Sequence, residues 1–313
     1  MALAAPFGLV TKLAAQPAKI PVIGVLVAAA AGGERFWRQL RDDLRKQGYI
    51  DGQTVRYAYR SDEGQLARLP GLAAELVQLK VDVIVTWFTP AAVAAKQATR
   101  DIPIVMGVAG DPVASGLVES LARPGGNVTG LSGMSLDTAA KCVELSRELL
   151  PQGRRVAALI NAPDPFSTAF LQSLQNAGRI AGVVIEPAII DGPADLEPAF
   201  AALATARPDV VIVQPSLPTQ RVAELAIARR LPAIAPARQF ARLGGLMSYA
   251  VNEANLYQLA TRMVVRVLKG AKPADLPVEQ PTKFDLILNL KTANALGLTV
   301  PAAFLQRADE VIE

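Results

Sequence analysis

The sequence predicts an α/β protein built from two similar, doubly wound parallel-sheet lobes joined by a multi-strand hinge. Three observations predict it. Short β-branched runs alternate with helical, one-sided apolar stretches along most of the chain, the pattern of βαβ units. At 313 residues the chain exceeds the usual size of one domain. Two segments also repeat. Pro208-Asp209-Val210-Val211-Ile212-Val213 echoes Val81-Asp82-Val83-Ile84-Val85, and Arg230-Leu231-Pro232-Ala233-Ile234 echoes Asp101-Ile102-Pro103-Ile104-Val105. Asp82 and Asp209 are 127 residues apart and Pro103 and Pro232 are 129 apart, so one offset relates both pairs, as tandem lobes of one topology require.

Taken in order, residues 1–18 are small and apolar with Lys12 as the only charge, and read as a signal remnant or extension. Residues 20–27 form an apolar strand that runs into the turn 28–33. Residues 34–47 form a helix with Phe36, Leu40 and Leu44 on one stripe and Gly48 as its stop. Residues 54–59 alternate as a more exposed strand. Residues 66–80 form the next helix, with Leu69, Leu72, Leu76 and Leu79 inward. Residues 81–85 are β-branched enough for a strand buried on both faces. Pro90 then suits the first position of a helix with Thr89 as its N-cap. Residues 102–108 are a further buried strand.

The glycine-rich stretch 124–133 suits a crossover, since it lacks the Lys-Ser/Thr of a phosphate loop. The second lobe then repeats the pattern. Strands are expected at 155–160, 183–190, 209–213 and 230–234, with helices at 167–181 and 196–206. A helix at 254–268 carries Leu256, Leu259, Met263 and Val267 on one face, and a strand at 284–288 and a helix at 291–296 close the chain. The expected lobes are residues 19–128 with 250–276, and 129–249 with 277–313, which gives three crossings between them.

Composition narrows the chemistry. The chain holds no histidine and one cysteine, Cys142. An internal disulfide, zinc sites of His and Cys, and Ser-His-Asp or Cys-His catalysis are excluded. Cys142 lies in an apolar helical pattern and reads as buried and inert. Lys and Arg total 32 against 28 Asp and Glu, for a net charge of +4 without a basic run, so nucleic acid is not an expected partner. No acid cluster has metal spacing, no nucleophile has an activator, and no cofactor or enzyme activity is expected.

In a doubly wound sheet, ligands bind at the loops that follow the carboxyl ends of strands. Those loops hold Gly33 and Glu34; Thr86, Trp87, Phe88 and Thr89; Gly110 and Asp111; Asn161, Asp164 and Phe166; Ser216; and Arg238. This is a binding inventory of hydroxyls, amides, aromatics and a few charges. Asp111 and Asp164 suit an ammonium, and the Thr89 turn or Arg238 a carboxylate. Asp111 before Pro112 fits a turn equally well. Trp87 and Phe88 compete to be the aromatic wall, because successive strand residues point oppositely.

The chain resembles periplasmic solute-binding proteins of ABC importers, in the branch related to tryptophan and tyrosine-type binding proteins. The resemblance rests on residues 23–26 (IGVL), 48–53 (GYIDGQ), 72–77 (LAAELV), 110–113 (GDPV), 121–130 (LARPGGNVTG) and 276–284 (LPVEQPTKF). It extends to 289–293 (NLKTA), 295–298 (ALGL) and 307–312 (RADEVI), and so covers nearly everything after Lys19. It implies a type I binding-protein fold that closes on a small solute, an amino acid or aromatic-type compound, and delivers it to a membrane permease. A monomer in the periplasm, or one anchored outside the membrane, is the expected form. The alternative is the ligand-sensing domain of a regulatory or signalling system, which would need a DNA-binding or signalling appendage that the chain lacks.

Overall fold

A computed structural model describes residues 19–28 and 32–313. The expected signal remnant and turn residues 29–31 lie outside the described residues. The first half alternates β1 (Val22–Val27), α1 (Gly33–Lys46), β2 (Arg56–Ser61), α2 (Leu69–Gln78), β3 (Val83–Trp87), α3 (Thr89–Ala98), β4 (Ile104–Ala109) and β5 (Val128–Ser132). The second runs through α4 (Ser135–Leu149), β6 (Arg155–Asn161), α5 (Ser167–Ala181), β7 (Val184–Ile190), α6 (Leu196–Ala206), β8 (Val210–Val213), α7 (Thr219–Ala228), β9 (Ala233–Ala235), α8 (Gln239–Arg242) and β10 (Met247–Val251). Then come α9 (Glu253–Leu268), β11 (Phe284–Asn289), α10 (Leu290–Leu296), α11 (Ala302–Leu305) and β12 (Glu310–Ile312).

The strands form two sheets, in the orders β2-β1-β3-β4-β5 and β12-β11-β10-β9-β8-β6-β7. The run β7-β6-β8-β9-β10 repeats the order of the first sheet and, like it, is parallel throughout. The 127-residue echo is thus a repeat of topology. The second sheet then departs from the first: β11 lies antiparallel to β10, and β12 is parallel to β11.

Alternation along each strand divides each lobe into two cores. In the first, Ile23, Val25, Val83 and Val85 face α1 and α9, while Leu26, Ile84, Ile104 and Met106 face α2 and α3. Helices therefore cover both faces, which is why β3, β4 and β5 are buried at every position. In the second lobe Val156, Ala158 and Ile160 pack towards α4 and α5, and Ala157, Leu159 and Val211 towards α6 and α7. Pro187 falls in β7, an outer strand whose unpaired side needs no donor. Leu79, expected inward, is exposed because α2 ends one residue before it. Cys142 is fully buried in α4, and burial pushes its thiol up to about 12.

The chain changes sheets three times, each a few residues later than 128/129, 249/250 and 276/277. β5 keeps its pairing with β4 as far as Ser132, so the first change follows that residue. β10 keeps its pairing with β11 through Val251, and α9 then packs on the first lobe beside Phe36. Residues 276–279 stay with the first sheet: Val278 N–H donates to Leu121 O at 2.7 Å, Glu279 N–H to Gly130 O at 2.9 Å, and Thr129 Oγ1 to Leu276 O at 2.7 Å.

Gly130 marks how tightly β5 is held. Its φ is +134°, and an added Cβ would sit 2.2 Å from Met106 O. Backbone cannot move aside as a side chain can, so Gly130→Ala is expected to cost about 2–4 kcal/mol through strain and overpacking. A urea midpoint unchanged from wild type would contradict this. Cys142 is expected to resist an aromatic disulfide reagent at pH 8 in the native protein and to react fully in denaturant, which absorbance at the released thiolate measures.

Candidate functional site

Between the two sheets, where their strands end, lies a cavity of about 100 Å³. Its first-lobe wall includes Arg35, Trp87, Phe88 and Gly110, and its second-lobe wall Ser135, Thr138, Thr219, Arg238 and Gln239. Glu253, at the start of α9, closes the side nearest the crossings. Arg35 and Glu253 lie in the first turns of α1 and α9, Ser135 and Thr138 in that of α4, and Thr219 in that of α7. Four long helices therefore present their positive ends here, a field that favours an anionic group.

The aromatic wall depends on a strained residue. Phe88 has φ 72° and ψ 159°, a region populated essentially by glycine that costs about 1–3 kcal/mol in other residues. The β3–β4 register also shifts between Thr86 and Trp87. These two irregularities break the strand alternation, so Trp87 and Phe88 both reach the cavity instead of one excluding the other. Trp87 stacks on Phe36 with centroids 4.2 Å apart, and Tyr257 and Phe88 flank it at 5.6 Å each. Trp87 is thus a fixed backing at 4 % exposure, while Phe88 is half-buried at the edge.

Thr89 is not the N-cap of α3. It lies inside the helix, and its Oγ1 accepts the Gly110 N–H at 2.9 Å, joining the loops after β3 and β4. Gly110 lines the cavity and lies close under Phe166: a Cβ there would be 2.9 Å from the ring. Because Phe166 comes from the second lobe, this contact brings the two lobes together.

Several other expected residues stand away from the cavity wall. Gly33 packs on Val27, with space too small for a side chain. Glu34 turns to the Tyr59 hydroxyl, which donates to it. Thr86 is fully buried within β3, and among the described residues its hydroxyl has no partner. Asp111 takes the bland role: its Oδ1 accepts the N–H groups of Val113 and Ala114, both at 2.9 Å, and so closes a turn.

Asn161, Asp164 and Ser216 form a buried scaffold with Gln214. Gln214 Nε2 donates to Asp164 Oδ2 at 2.7 Å, Asn161 N–H donates to Gln214 Oε1 at 2.9 Å, and Asn161 Nδ2 to Ser216 Oγ at 3.2 Å. Burial raises the Asp164 pKa, opposed by the donors around it, among them the Phe166 N–H. This network fixes the β6 and β8 loops and with them Phe166. Asn161 and Ser216 also border a second, outer cavity of about 420 Å³, whose far side is Gly64 to Ala67.

Arg238 lines the cavity, yet its guanidinium is engaged. Its Nε donates to Asp285 Oδ2 at 2.6 Å, and Glu310 stands 3.7 Å from Nη2. Asn252 Nδ2 donates to the same Asp285 carboxylate. Arg35 and Glu253 escaped the sequence reading. For Arg35 the signal was one position away: helical geometry turns neighbours by about 100°, so Glu34 and Arg35 cannot share a direction. Glu253 follows β10, a strand end absent from the inventory of loops.

Two parallel-sheet lobes, three crossings and a cavity between facing strand ends define the type I periplasmic binding-protein fold. Residues 14–312 match the model of the family described as ABC transporter substrate binding protein, and the chain belongs to that family. It is a solute-capturing component of an ABC transporter and not an enzyme.

A tyrosine-binding protein of Clostridioides difficile (strain R20291) is 29% identical over 262 residues, or 82% of this chain and 74% of that protein. An ABC domain from Streptococcus pneumoniae in complex with L-Trp is 28% identical with a TM-score of 0.84, covering 93% of this chain and 99% of that one. A conserved domain protein from Vibrio cholerae is 28% identical with a TM-score of 0.86, covering 94% and 100%.

Among the described residues, no helix is long and apolar enough to cross a membrane, and no group of three His, Cys, Asp or Glu side chains could hold a metal. Thr89→Val keeps shape but strands the Gly110 N–H, so it is expected to cost about 1–3 kcal/mol. Equilibrium unfolding checks this; a cost near zero would show that the bond does not tie the two loops.

Proposed function

We propose that this protein is the extracytoplasmic receptor of an ABC importer, and that it takes a small aromatic solute into the cavity between its lobes. The observation that carries the reading is the convergence of Trp87 and Phe88 with Arg35, Glu253 and helix N-termini on one cleft. An aromatic ring gains area burial and about 0.5–1.5 kcal/mol of ring contact against such a wall. A polar head group faces charged side chains in a place from which closure excludes water, where charge interactions strengthen.

The names of two relatives, a tyrosine-binding protein and a domain crystallised with L-Trp, support the same ligand type. Release to a membrane permease, a monomeric receptor, and a place in the periplasm or anchored to the extracytoplasmic side of the membrane belong to this proposal. Loops from both lobes supply the wall, so binding is expected to bring the lobes together around the crossings.

The test is a titration of the folded protein with L-tryptophan, L-tyrosine, L-phenylalanine, benzoate and L-leucine, read by tryptophan fluorescence and by melting temperature. An aromatic solute at a hundredfold excess over its Kd is expected to add about 2.7 kcal/mol of stability. Phe88→Ala is expected to weaken that solute about tenfold or more, while the backbone at position 88 stays as strained as before because alanine keeps the Cβ. Absence of binding by every aromatic solute tested would refute the reading.

A further inference from the structure

Three charged side chains line the cavity, and they are not equivalent. Arg238 is already paired, its Nε held by Asp285 at 2.6 Å with Glu310 3.7 Å from Nη2, so its charge is matched before a ligand arrives. Glu253 is different. Its Oε2 is approached by Gln239 Nε2 at 3.4 Å, by the Tyr257 hydroxyl at 3.4 Å and by Arg35 Nε at 3.7 Å. Charge-assisted N–H···O bonds settle near 2.7–2.9 Å. All three donors thus crowd one oxygen, from α1, α8 and α9, and none comes close.

Among the described residues this carboxylate lacks a close charged partner, and Arg35, which also meets the Tyr257 hydroxyl, has that carboxylate no nearer than 3.7 Å. An opposite-signed pair that touches only loosely, at 3.7 Å, can part to match the two charges of a zwitterion. A carboxylate without an amine would face Glu253 as well as Arg35, and an amine without a carboxylate would face Arg35 as well as Glu253.

We propose that Arg35 and Glu253 give up their loose mutual contact to a ligand zwitterion, Glu253 receiving its ammonium and Arg35 its carboxylate, so that the site selects α-amino acids over aromatic acids and amines. The inference rests on the aromatic-solute reading above and adds the head-group class and the two side chains that read it. Gln239, from the second lobe, reaches Glu253 across the cleft. Capture of an ammonium by Glu253 therefore takes place where both lobes meet.

Calorimetric titration of the full protein distinguishes the alternatives. L-tryptophan, L-tyrosine and L-phenylalanine are each compared with the deaminated acid and the decarboxylated amine. Wild type is expected to prefer the amino acid by about ten- to hundredfold, the scale of one hydrogen bond to a charged group. Glu253→Gln, near-isosteric, is expected to lose that factor for the amino acid and to bind the deaminated acid as well as wild type or better. Arg35→Gln is expected to weaken the amino acid and the deaminated acid and to spare the amine. Circular dichroism and melting temperature establish that both variants fold.

If wild type binds an amino acid and its deaminated acid equally, or if Glu253→Gln leaves their ratio unchanged, the head-group assignment is wrong while the aromatic-solute reading stands. If no compound in the set binds wild type, both fall.

Discussion

Parallel strands end together, and that constraint organises this molecule. In the first sheet every strand runs the same way, so the loops after β1, β2, β3 and β4 emerge along one edge. The strands from β6 to β10 obey the same rule. Three crossings then turn the two edges towards each other. Any side chain placed just after a strand becomes a candidate wall residue, whatever its distance along the chain. The crossings are sewn together by the Leu131–Glu279 bridge and by Thr129 on Leu276, while Arg262 pairs with Glu279 at 2.6 Å. The proposed closure would fall on short segments beyond these ties, such as Gly133–Met134 and Asn252, where a few dihedral angles can absorb a rotation.

How far this was legible depends on the range of the information. The buried run at Val83 to Val85 and its echo at Val210 to Val213 announce parallel strands, because only strands covered on both faces read as unbroken apolar runs. The repeat offset announces the shared topology. By contrast, the partner of Arg238 is 47 residues away at Asp285, and the partner of Thr89 is the Gly110 amide. Neither pairing leaves a local pattern. A polar residue at a strand end reads the same whether it holds a ligand, as proposed for Glu253, or a turn, as Asp111 does. The antiparallel β11 was likewise invisible, since direction is set by where a crossing delivers the chain and not by composition.

Strain and burial give the site its shape. Phe88 adopts a backbone region that few side chains tolerate, and the packing of Trp87 between Phe36 and Tyr257 holds it there. The cost is borne by cores whose central strands are fully buried. On the other lobe, the Asn161–Gln214–Asp164 network does the same for Phe166, which meets the first lobe over Gly110. Polar residues that first suggest ligand contacts are here the framework that positions an apolar contact. The cavity wall itself is built around two aromatic rings, one loosely paired acid and base, Arg238 in its ion pair, and helix first turns.

The proposed function requires the facing edges to approach and separate around a bound solute. Spin labels at Glu63→Cys and Ala194→Cys, both exposed and on opposite sides of the outer cleft, report that separation by pulsed double-resonance spectroscopy, with Cys142 too buried to be labelled. Saturating L-tryptophan is predicted to replace a broad distribution reaching long distances with a single shorter distance. An identical distribution with and without the bound solute would contradict the account.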